Sequence, residues 1–196
     1  MKLADEFPLN PQAWNPLLQT SRLALEPLRS EHAAMLLATL SDPRVYQFIP
    51  QEPPTDFDSG LERLRERYVK LETRSSEDGT EAWLNWAIKY ESAYLGRVEA
   101  SVQLESRTSS IAYLLSPDYW GQGFALETVK ALLNHLEQQG VIEVRAWVDS
   151  RNVASMKLLE RLGFVQGEFL PAADYFKGHS SDEWVYKLEL QGFSKS

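Results

Sequence analysis

The chain has 196 residues and no cysteine. This absence excludes a disulfide framework and a catalytic thiol. Long apolar runs are also missing. No stretch approaches the roughly 20 apolar residues of a membrane helix, and the start MKLADEFPLNPQAW lacks the apolar segment of a signal peptide. We therefore expect a cytoplasmic globular protein of one domain, without a membrane partner.

Basic residues are scarce relative to acidic ones. The chain contains 20 Lys and Arg against 28 Asp and Glu, a net charge of −8, which argues against a nucleic-acid partner. The excess is uneven, since residues 51–105 hold twelve acidic and seven basic side chains. Two interpretations stay open: a solvated face that aids solubility, or a negative field that attracts cationic substrates.

Metal and nucleophile motifs are lacking as well. The three histidines, His32, His135 and His179, are scattered and have no partners at ligand spacing, so we predict no metal site. Neither a P-loop Gly-Lys-Ser/Thr nor a G-x-S-x-G elbow is present. Motifs of these classes therefore do not indicate the chemistry of this protein.

The chain does contain an ordered series of strand and helix patterns. Apolar periodicity predicts strand, two helices, three strands, helix, strand, helix and two strands. The connectors ESA and ESRT are short, which favours an antiparallel meander of the three middle strands. A helical crossover makes the third of them a parallel neighbour of the next strand. We expect an α+β domain over residues 21–190, an irregular N-terminal arm over 1–20 and a C-terminal tail over 191–196.

The segment PDYWGQGFALETVKALL, residues 117–133, places a glycine-rich turn at the start of the third predicted helix. The first amides of a helix lack intrahelical partners and the helix dipole adds positive potential, so this pattern is typical of an anion site. A dinucleotide fingerprint fits poorly, because Leu126 stands at its third glycine and the preceding sheet is predicted to be antiparallel. A purely structural turn is the remaining alternative.

The motifs YWGQGFA, NVAS and GF, in this order and spacing, resemble those of the GNAT acyltransferase superfamily. RLALEPL, YLLSPDYWGQGFALE and NVASMKLLERLGF are similar to its RimJ/RimL-like branch, the ribosomal-protein alanine and serine N-acetyltransferases. The resemblance covers about residues 20–190. It implies a GNAT fold: a mixed, mostly antiparallel sheet of about six to seven strands flanked by four helices, with splayed parallel central strands.

The resemblance also implies acetyl-CoA as the acyl donor. Its pyrophosphate is expected on backbone amides of the turn, although Trp120 stands where the family usually has Gln or Arg. Its pantetheine arm is expected along the preceding strand, like an added strand; the alternative is that this strand is only core. A main-chain N–H there would stabilise the oxyanion. The amide donors are Gln122, Gly123, Phe124 and Ala125, the residues that shape the approach are Trp120 and Gly121, and the strand residues are Tyr113, Leu114 and Leu115.

Asn152 opens the fourth predicted helix, and the resemblance implies that it contacts the amide-bearing arm of the cofactor. The alternative is an N-cap alone. Ser155 lies one turn along on the same face. Many superfamily members carry a Tyr seven residues after this Asn, placed to protonate the leaving thiolate, but here Leu159 stands there. Ser155, water or another side chain would have to serve, or the thiolate leaves unaided.

The general base is expected to be a carboxylate. A primary amine attacks only in its neutral form, so some group must accept its proton. Glu99 in the second meander strand is the candidate, and an exposed strand carboxylate is the alternative interpretation. Tyr113 is expected to line the site, and Glu127 to act as a partner of the helix dipole.

The sequence therefore predicts an acetyl-CoA-dependent N-acetyltransferase that transfers the acetyl group directly to a primary amine. The acceptor is a protein N-terminus, an amino-acid derivative or a small cationic amine, and the protein is a monomer or homodimer. Two alternatives stay open: transfer of a longer acyl group, and a CoA-binding sensor module without catalysis, which the missing Tyr at position 159 does not exclude.

Overall fold

A computed structural model describes residues 11–191 of the chain. Within these residues the strands are β1 (Leu18–Gln19), β2 (Leu23–Pro27), β3 (Glu81–Tyr90), β4 (Ala93–Gln103), β5 (Thr108–Leu115), β6 (Glu143–Asp149), β7 (Val165–Phe176) and β8 (His179–Glu189). The helices are α1 (Ala33–Thr39), α2 (Phe57–Leu71), α3 (Phe124–Gln138) and α4 (Val153–Arg161). Short 3-10 turns lie at Pro11–Trp14, Ser30–His32, Pro43–Tyr46 and Pro117–Tyr119.

The strands form one open sheet in the order β1-β2-β3-β4-β5-β6-β8-β7. Strands β5 and β6 are parallel, because α3 carries the chain between them, and the other neighbours are antiparallel. The predicted meander is confirmed as β3, β4 and β5. The sheet has eight strands where about six to seven were expected, because β1 lies in the stretch predicted as an irregular arm.

Both faces of the sheet are covered by helices. The main core joins one face of β3–β6 to α3 and α4, through residues such as Trp86, Val98, Leu132, Val144 and Phe164. A smaller core on the other face joins β3 to α1 and α2 and contains Leu28, Ala33, Leu36, Tyr68 and Ala87. Alternate residues of a strand point to opposite faces. Each central strand therefore presents one row of side chains to each layer.

The segment before β1 is tied to the sheet by specific contacts. The buried Asn15 side chain donates to the Asn85 carbonyl at 3.0 Å and accepts from the Asn85 amide at 2.8 Å. Trp86 donates its indole N–H to the Pro16 carbonyl at 2.7 Å. Residues 11–20 of the predicted arm therefore contain ordered elements, while residues 1–10 of that arm and 192–196 of the predicted tail lie outside the described residues.

The last two strands form a longer hairpin than their apolar patterns predicted. Its tip is a two-residue turn at Lys177 and Gly178, with φ values of 54° and 76°, as a type I′ hairpin turn requires. Most side chains of β7 are exposed, so this strand lacks the alternation that marks a half-buried strand. The hairpin extends past the sheet towards the connection between α1 and α2.

Candidate active site

The glycine-rich turn before α3 presents a group of unpaired amides. Gly121 and Gly123 have φ values of 72° and 80°, a backbone region that glycine enters without strain. Gly123 is the N-cap residue of α3. The amides of Gln122, Gly123, Phe124 and Ala125 donate to no other described residue. Free amides at a helix N-terminus can bind an anion such as a phosphate.

A salt bridge fixes this turn to the segment just before β2. Arg22 Nε lies 2.7 Å from Glu127 Oε2, and Arg22 Nη1 donates to the Gln122 carbonyl at 3.1 Å. Burial raises the pKa of the Glu127 carboxyl, but hydrogen bonds from Thr20, Arg22 and Ser21 outweigh burial and lower the pKa to about 2. Glu127 is therefore an ion-pair partner as well as an acidic group in the first turn of α3. No local sequence signal indicates the role of Arg22, because its partner Glu127 lies 105 residues along the chain.

The parallel strands β5 and β6 separate after three paired residues. Their register runs from Thr108 opposite Glu143 to Ser110 opposite Arg145 and then ends. Beyond this point β5 continues to Leu115 and β6 to Asp149, so the two strands border a gap. The predicted splayed parallel strands are thus present.

The backbone of β5 alternates between this gap and β4. The Leu114 carbonyl faces β4, where a Cβ atom on Gly96 would lie 2.0 Å from it. Because successive residues of a strand direct their polar backbone groups to opposite sides, Tyr113 presents its N–H and C=O to the gap. The Leu115 carbonyl accepts from the Trp120 indole at 2.8 Å. Trp120 therefore fixes the end of β5 against the glycine-rich turn.

Asn152 caps α4 beside the same gap. Its Oδ1 accepts from the Ser155 amide at 3.1 Å, which is the N-cap geometry considered from the sequence. The Ser155 hydroxyl lies 2.8 Å from the Tyr113 hydroxyl. Burial raises the pKa of Tyr113, and the hydrogen bond with Ser155 opposes this effect only in part. The pair therefore carries two hydroxyl protons at neutral pH.

The turn that presents Asn152 is fixed by a buried carboxylate. Asp149 is buried at the end of β6 and pairs with Arg151 at 2.5 Å. Ser181 of β8 donates to Asp149 Oδ2 at 2.7 Å. Burial raises the pKa of Asp149, but the hydrogen bonds from Arg151 and Ser181 lower it overall. This cluster orients the start of α4 towards the gap.

Glu99 lies on β4, on the opposite face of the sheet from Tyr113. It is directly across from Ala112 of β5 and two residues from Arg97, whose Nη1 forms a salt bridge with Glu99 Oε2. The Glu99 side chain is 30% exposed and that of Arg97 is 14% exposed. Leu159 is fully buried in the main core. The structure thus pairs Glu99 with a cation that the sequence analysis did not identify.

Two tyrosines lie near the ion pair of Arg97 and Glu99. Tyr68 of α2 is 1% exposed, and its hydroxyl has no hydrogen-bond partner among the described residues. Burial raises its pKa to about 12, with Arg97 acting in the opposite direction. Burial also raises the pKa of Tyr46, again opposed by Arg97. We call Tyr46, Tyr68, Arg97 and Glu99 the acceptor-side cluster.

Residues 11–191 include no group of three His, Cys, Asp or Glu side chains arranged to hold a metal ion. None of their helices is long and apolar enough to cross a membrane. The three histidines do not come together. His32 contacts Glu26, and His135 contacts the Trp14 carbonyl.

Comparison with known protein families identifies the family of this chain. The profile of the acetyltransferase (GNAT) domain matches residues 22–165, a span that holds the glycine-rich turn, the gap and the start of α4. The chain belongs to the GNAT acetyltransferase family. It is an N-acetyltransferase, and acetyl-CoA is its acyl donor.

One relative is similar to this chain in sequence, and two solved structures are similar to it in fold. An uncharacterized N-acetyltransferase, p20 of Bacillus licheniformis, is 26% identical over 87% of this chain and 94% of its own. The acetyltransferase that modifies the N-terminal serine of ribosomal protein L7/L12 in Salmonella typhimurium has a TM-score of 0.74 at 18% identity, covering 88% and 97% of the two chains. The spermidine N-acetyltransferase of Vibrio cholerae, solved with CoA and spermine, has a TM-score of 0.71 at 19% identity, covering 88% and 98%.

The described residues suit the GNAT acyl donor. The unpaired amides of the glycine-rich turn provide donors for its phosphates, and the gap beside β5 provides an unpaired strand edge for its amide-containing arm. The predicted cofactor residues lie together along the turn, the end of β5 and the start of α4. Glu99 lies instead on the other face of the sheet, at the acceptor-side cluster.

Proposed function

We propose that this N-acetyltransferase transfers the acetyl group directly from acetyl-CoA to a primary amine, without an acyl-enzyme. The observation that carries the proposal is the gap between β5 and β6, bordered by the unpaired amides of the turn at one end and Asn152 at the other. The whole sequence lacks cysteine, the most nucleophilic side chain for an acyl-enzyme.

The backbone binds and orients the donor in this proposal. Amides of Gln122, Gly123, Phe124 and Ala125 hold the pyrophosphate, with Gly121 and Trp120 shaping its approach. Tyr113, Leu114 and Leu115 border the pantetheine arm, and Asn152 contacts its amides in addition to capping α4. The gap-facing N–H of Tyr113 stabilises negative charge on the acyl oxygen. Every one of these contacts except that of Asn152 uses the backbone and tolerates side-chain variation.

The proton transfers use side chains on both faces of the sheet. Glu99 accepts the proton of the attacking amine, directly or through water; its Oε2 is paired with Arg97, which leaves Oε1 for this contact. As the C–N bond forms and the C–S bond breaks, the Ser155 hydroxyl donates a proton to the thiolate and recovers one from Tyr113, 2.8 Å away. Solvent then returns a proton to Tyr113 and takes the amine proton from Glu99, which restores both groups. This hydroxyl pair takes the role that a Tyr at position 159 would have.

The acceptor is a primary amine: a protein N-terminus, an amino-acid derivative or a small cationic amine. The structural relatives act on amines of two of these kinds, an N-terminal serine and a polyamine. The acidic excess in residues 51–105 supports attraction of an amine that is cationic in solution.

The decisive experiment is a screen for free thiol released from acetyl-CoA in the presence of different amines. We expect release that depends on both substrates, and a mass increase of the amine by one acetyl group. Glu99→Gln should lower kcat at neutral pH and recover in part at high pH, where neutral amine is abundant. Tight binding of acetyl-CoA without thiol release from any amine would instead support the sensor alternative.

A further inference from the structure

The acceptor-side cluster contains a buried hydroxyl without a partner. Tyr68 packs in the smaller core with Ala87, and Ala87 lies directly opposite Arg97 in the register of β3 and β4. Directly opposed residues have Cβ atoms about 5 Å apart. The Tyr68 ring and the Arg97 side chain are therefore neighbours on one face of the sheet. A buried hydroxyl without a partner is costly, which points to a group that completes this site.

Arg97 also has donors that the protein leaves unused. A guanidinium carries five N–H donors, and the contact with Glu99 uses Nη1. The described residues provide no other hydrogen-bond acceptor for this guanidinium, although only 14% of its side chain is exposed. Tyr68 and Arg97 together thus present several donors that require an oxygen atom, and Glu99 lies beside them.

We infer that Tyr68 and Arg97 are specificity-determining residues that bind an acyl oxygen on the carbon next to the amine of the acceptor. This inference rests on the proposed function. The acceptor then carries an ammonium for Glu99 and a carbonyl or carboxylate oxygen for Arg97 and Tyr68. This chemistry belongs to an α-amino acyl unit, found both in a free amino acid and at the N-terminus of a peptide.

A simple polyamine does not complete this site. It has ammonium groups for Glu99 but no oxygen, so binding it would leave the Tyr68 hydroxyl and the Arg97 donors unpaired. Sites built to hydrogen-bond a substrate group discriminate strongly against analogues that lack it. The Tyr68 hydroxyl is covered in this structure, and the acceptor reaches it through a side-chain rearrangement of the kind common on binding.

The test compares wild type with Tyr68→Phe and Arg97→Lys on four amines. L-alaninamide carries a carbonyl, L-alanine a carboxylate, and isopropylamine and spermidine carry no oxygen. For each amine, kcat/KM of the variant is divided by that of wild type, so that differences in amine basicity cancel. We expect Tyr68→Phe to lower kcat/KM for alaninamide by about threefold to tenfold, the value of one hydrogen bond, and to leave isopropylamine unchanged.

The second variant distinguishes the two sources of an α-amino acyl unit. Arg97→Lys keeps the charge but loses the planar fork that binds a carboxylate through two hydrogen bonds. A larger loss with alanine than with alaninamide identifies a free amino acid as the acceptor. Equal losses with the two identify a peptide N-terminus, because its acyl group offers a single oxygen.

Melting temperature provides the structural control. Removal of an unpartnered hydroxyl should not lower the melting temperature of Tyr68→Phe. The matched variant Tyr186→Phe removes a buried hydroxyl that contacts Glu160 at 3.2 Å, and it should lose stability without a change in acceptor preference. Equal losses of kcat/KM on all four amines, or spermidine as the preferred acceptor, would overturn the inference and leave direct acetyl transfer intact. Absence of thiol release from every amine would contradict the proposed function itself.

Discussion

Asn152 has a structural role that is separable from its proposed role in binding. Its Oδ1 caps α4 through the Ser155 amide, and Asp56 caps α2 in the same way, accepting from the Ser59 amide at 2.8 Å. Each cap stabilises its helix by satisfying an amide that has no intrahelical partner. The two residues therefore form a matched pair, of which only one lies beside the gap.

We expect Asn152→Ala and Asp56→Ala to lower the free energy of unfolding by similar amounts, because each removes one N-cap hydrogen bond. Only Asn152→Ala should weaken acetyl-CoA binding, because only its side chain is proposed to contact the pantetheine arm. Denaturant unfolding and calorimetric titration measure the two effects. Normal acetyl-CoA affinity in Asn152→Ala would mean that the residue is a cap and nothing more.

The ion pair between Glu127 and Arg22 predicts a specific dependence of stability on pH. The pKa of Glu127 falls from its ordinary value of 4.5 to about 2 in the folded protein. A depressed carboxyl pKa stabilises the fold above the unfolded pKa, and this contribution is lost as pH falls from about 4.5 towards 2. The difference in unfolding free energy between wild type and Glu127→Gln should therefore be largest near neutral pH and shrink below pH 4.5. A difference that stays constant across this range would contradict the ion-pair account.

At the scale of elements, the β7–β8 hairpin joins the connection between α1 and α2. Lys177 at its tip contacts the Tyr46 carbonyl and donates to the Ile49 carbonyl at 3.2 Å. Tyr46 belongs to the acceptor-side cluster. The hairpin therefore fixes one wall of the proposed acceptor site from a strand pair more than a hundred residues along the chain.

We expect Lys177→Ala to raise KM for the amine while KM for acetyl-CoA stays near the wild-type value, because the glycine-rich turn lies on other elements. Lys187→Ala, an exposed lysine on β8, is the control and should change neither value. Steady-state kinetics with each substrate varied in turn measures the split. Equal increases in both KM values would show that Lys177 acts on the whole fold.

The elements that the sequence predicted best have a strong local pattern. The meander, the parallel crossover and α3 follow from strand alternation, short connectors and helical spacing. The glycine-rich turn and the Asn152 cap are predictable because turn glycines and caps are local signals, whereas their expected roles in binding acetyl-CoA come from the family resemblance. Strand β1 is not predictable in this way, because a strand of two residues is too short to show an alternating pattern. Its pairing with β2 is a tertiary contact.

The residues that the sequence missed act through distant partners. Arg22 acquires its role only when β2 packs against α3, and Arg97 and Tyr68 become neighbours only when α2 packs on the sheet. No spacing along the chain encodes these contacts. The position of Glu99 in a strand makes it a candidate base, but its pairing with Arg97 is evident only from the side-chain geometry.

Across the whole molecule, the two substrates are assigned to opposite faces of one sheet. We propose a donor site built largely from backbone at the β5–β6 gap, and an acceptor site built from charged and phenolic side chains on the face that packs against α1 and α2. This separation explains why acetyl-CoA could be predicted from short motifs. Structures with this fold act on acceptors as different as an N-terminal serine and a polyamine, so the fold alone does not identify the acceptor.

The central claim is that the glycine-rich turn holds the acyl donor, and calorimetric titration of acetyl-CoA into Gly123→Val tests it most directly. Gly79→Val is the matched control, because Gly79 has a similar positive φ of 71° and open space around it, far along the chain from the turn. Both variants carry the same backbone strain. We predict micromolar binding by wild type and Gly79→Val and no measurable binding by Gly123→Val. Equal affinity of all three proteins would contradict the account.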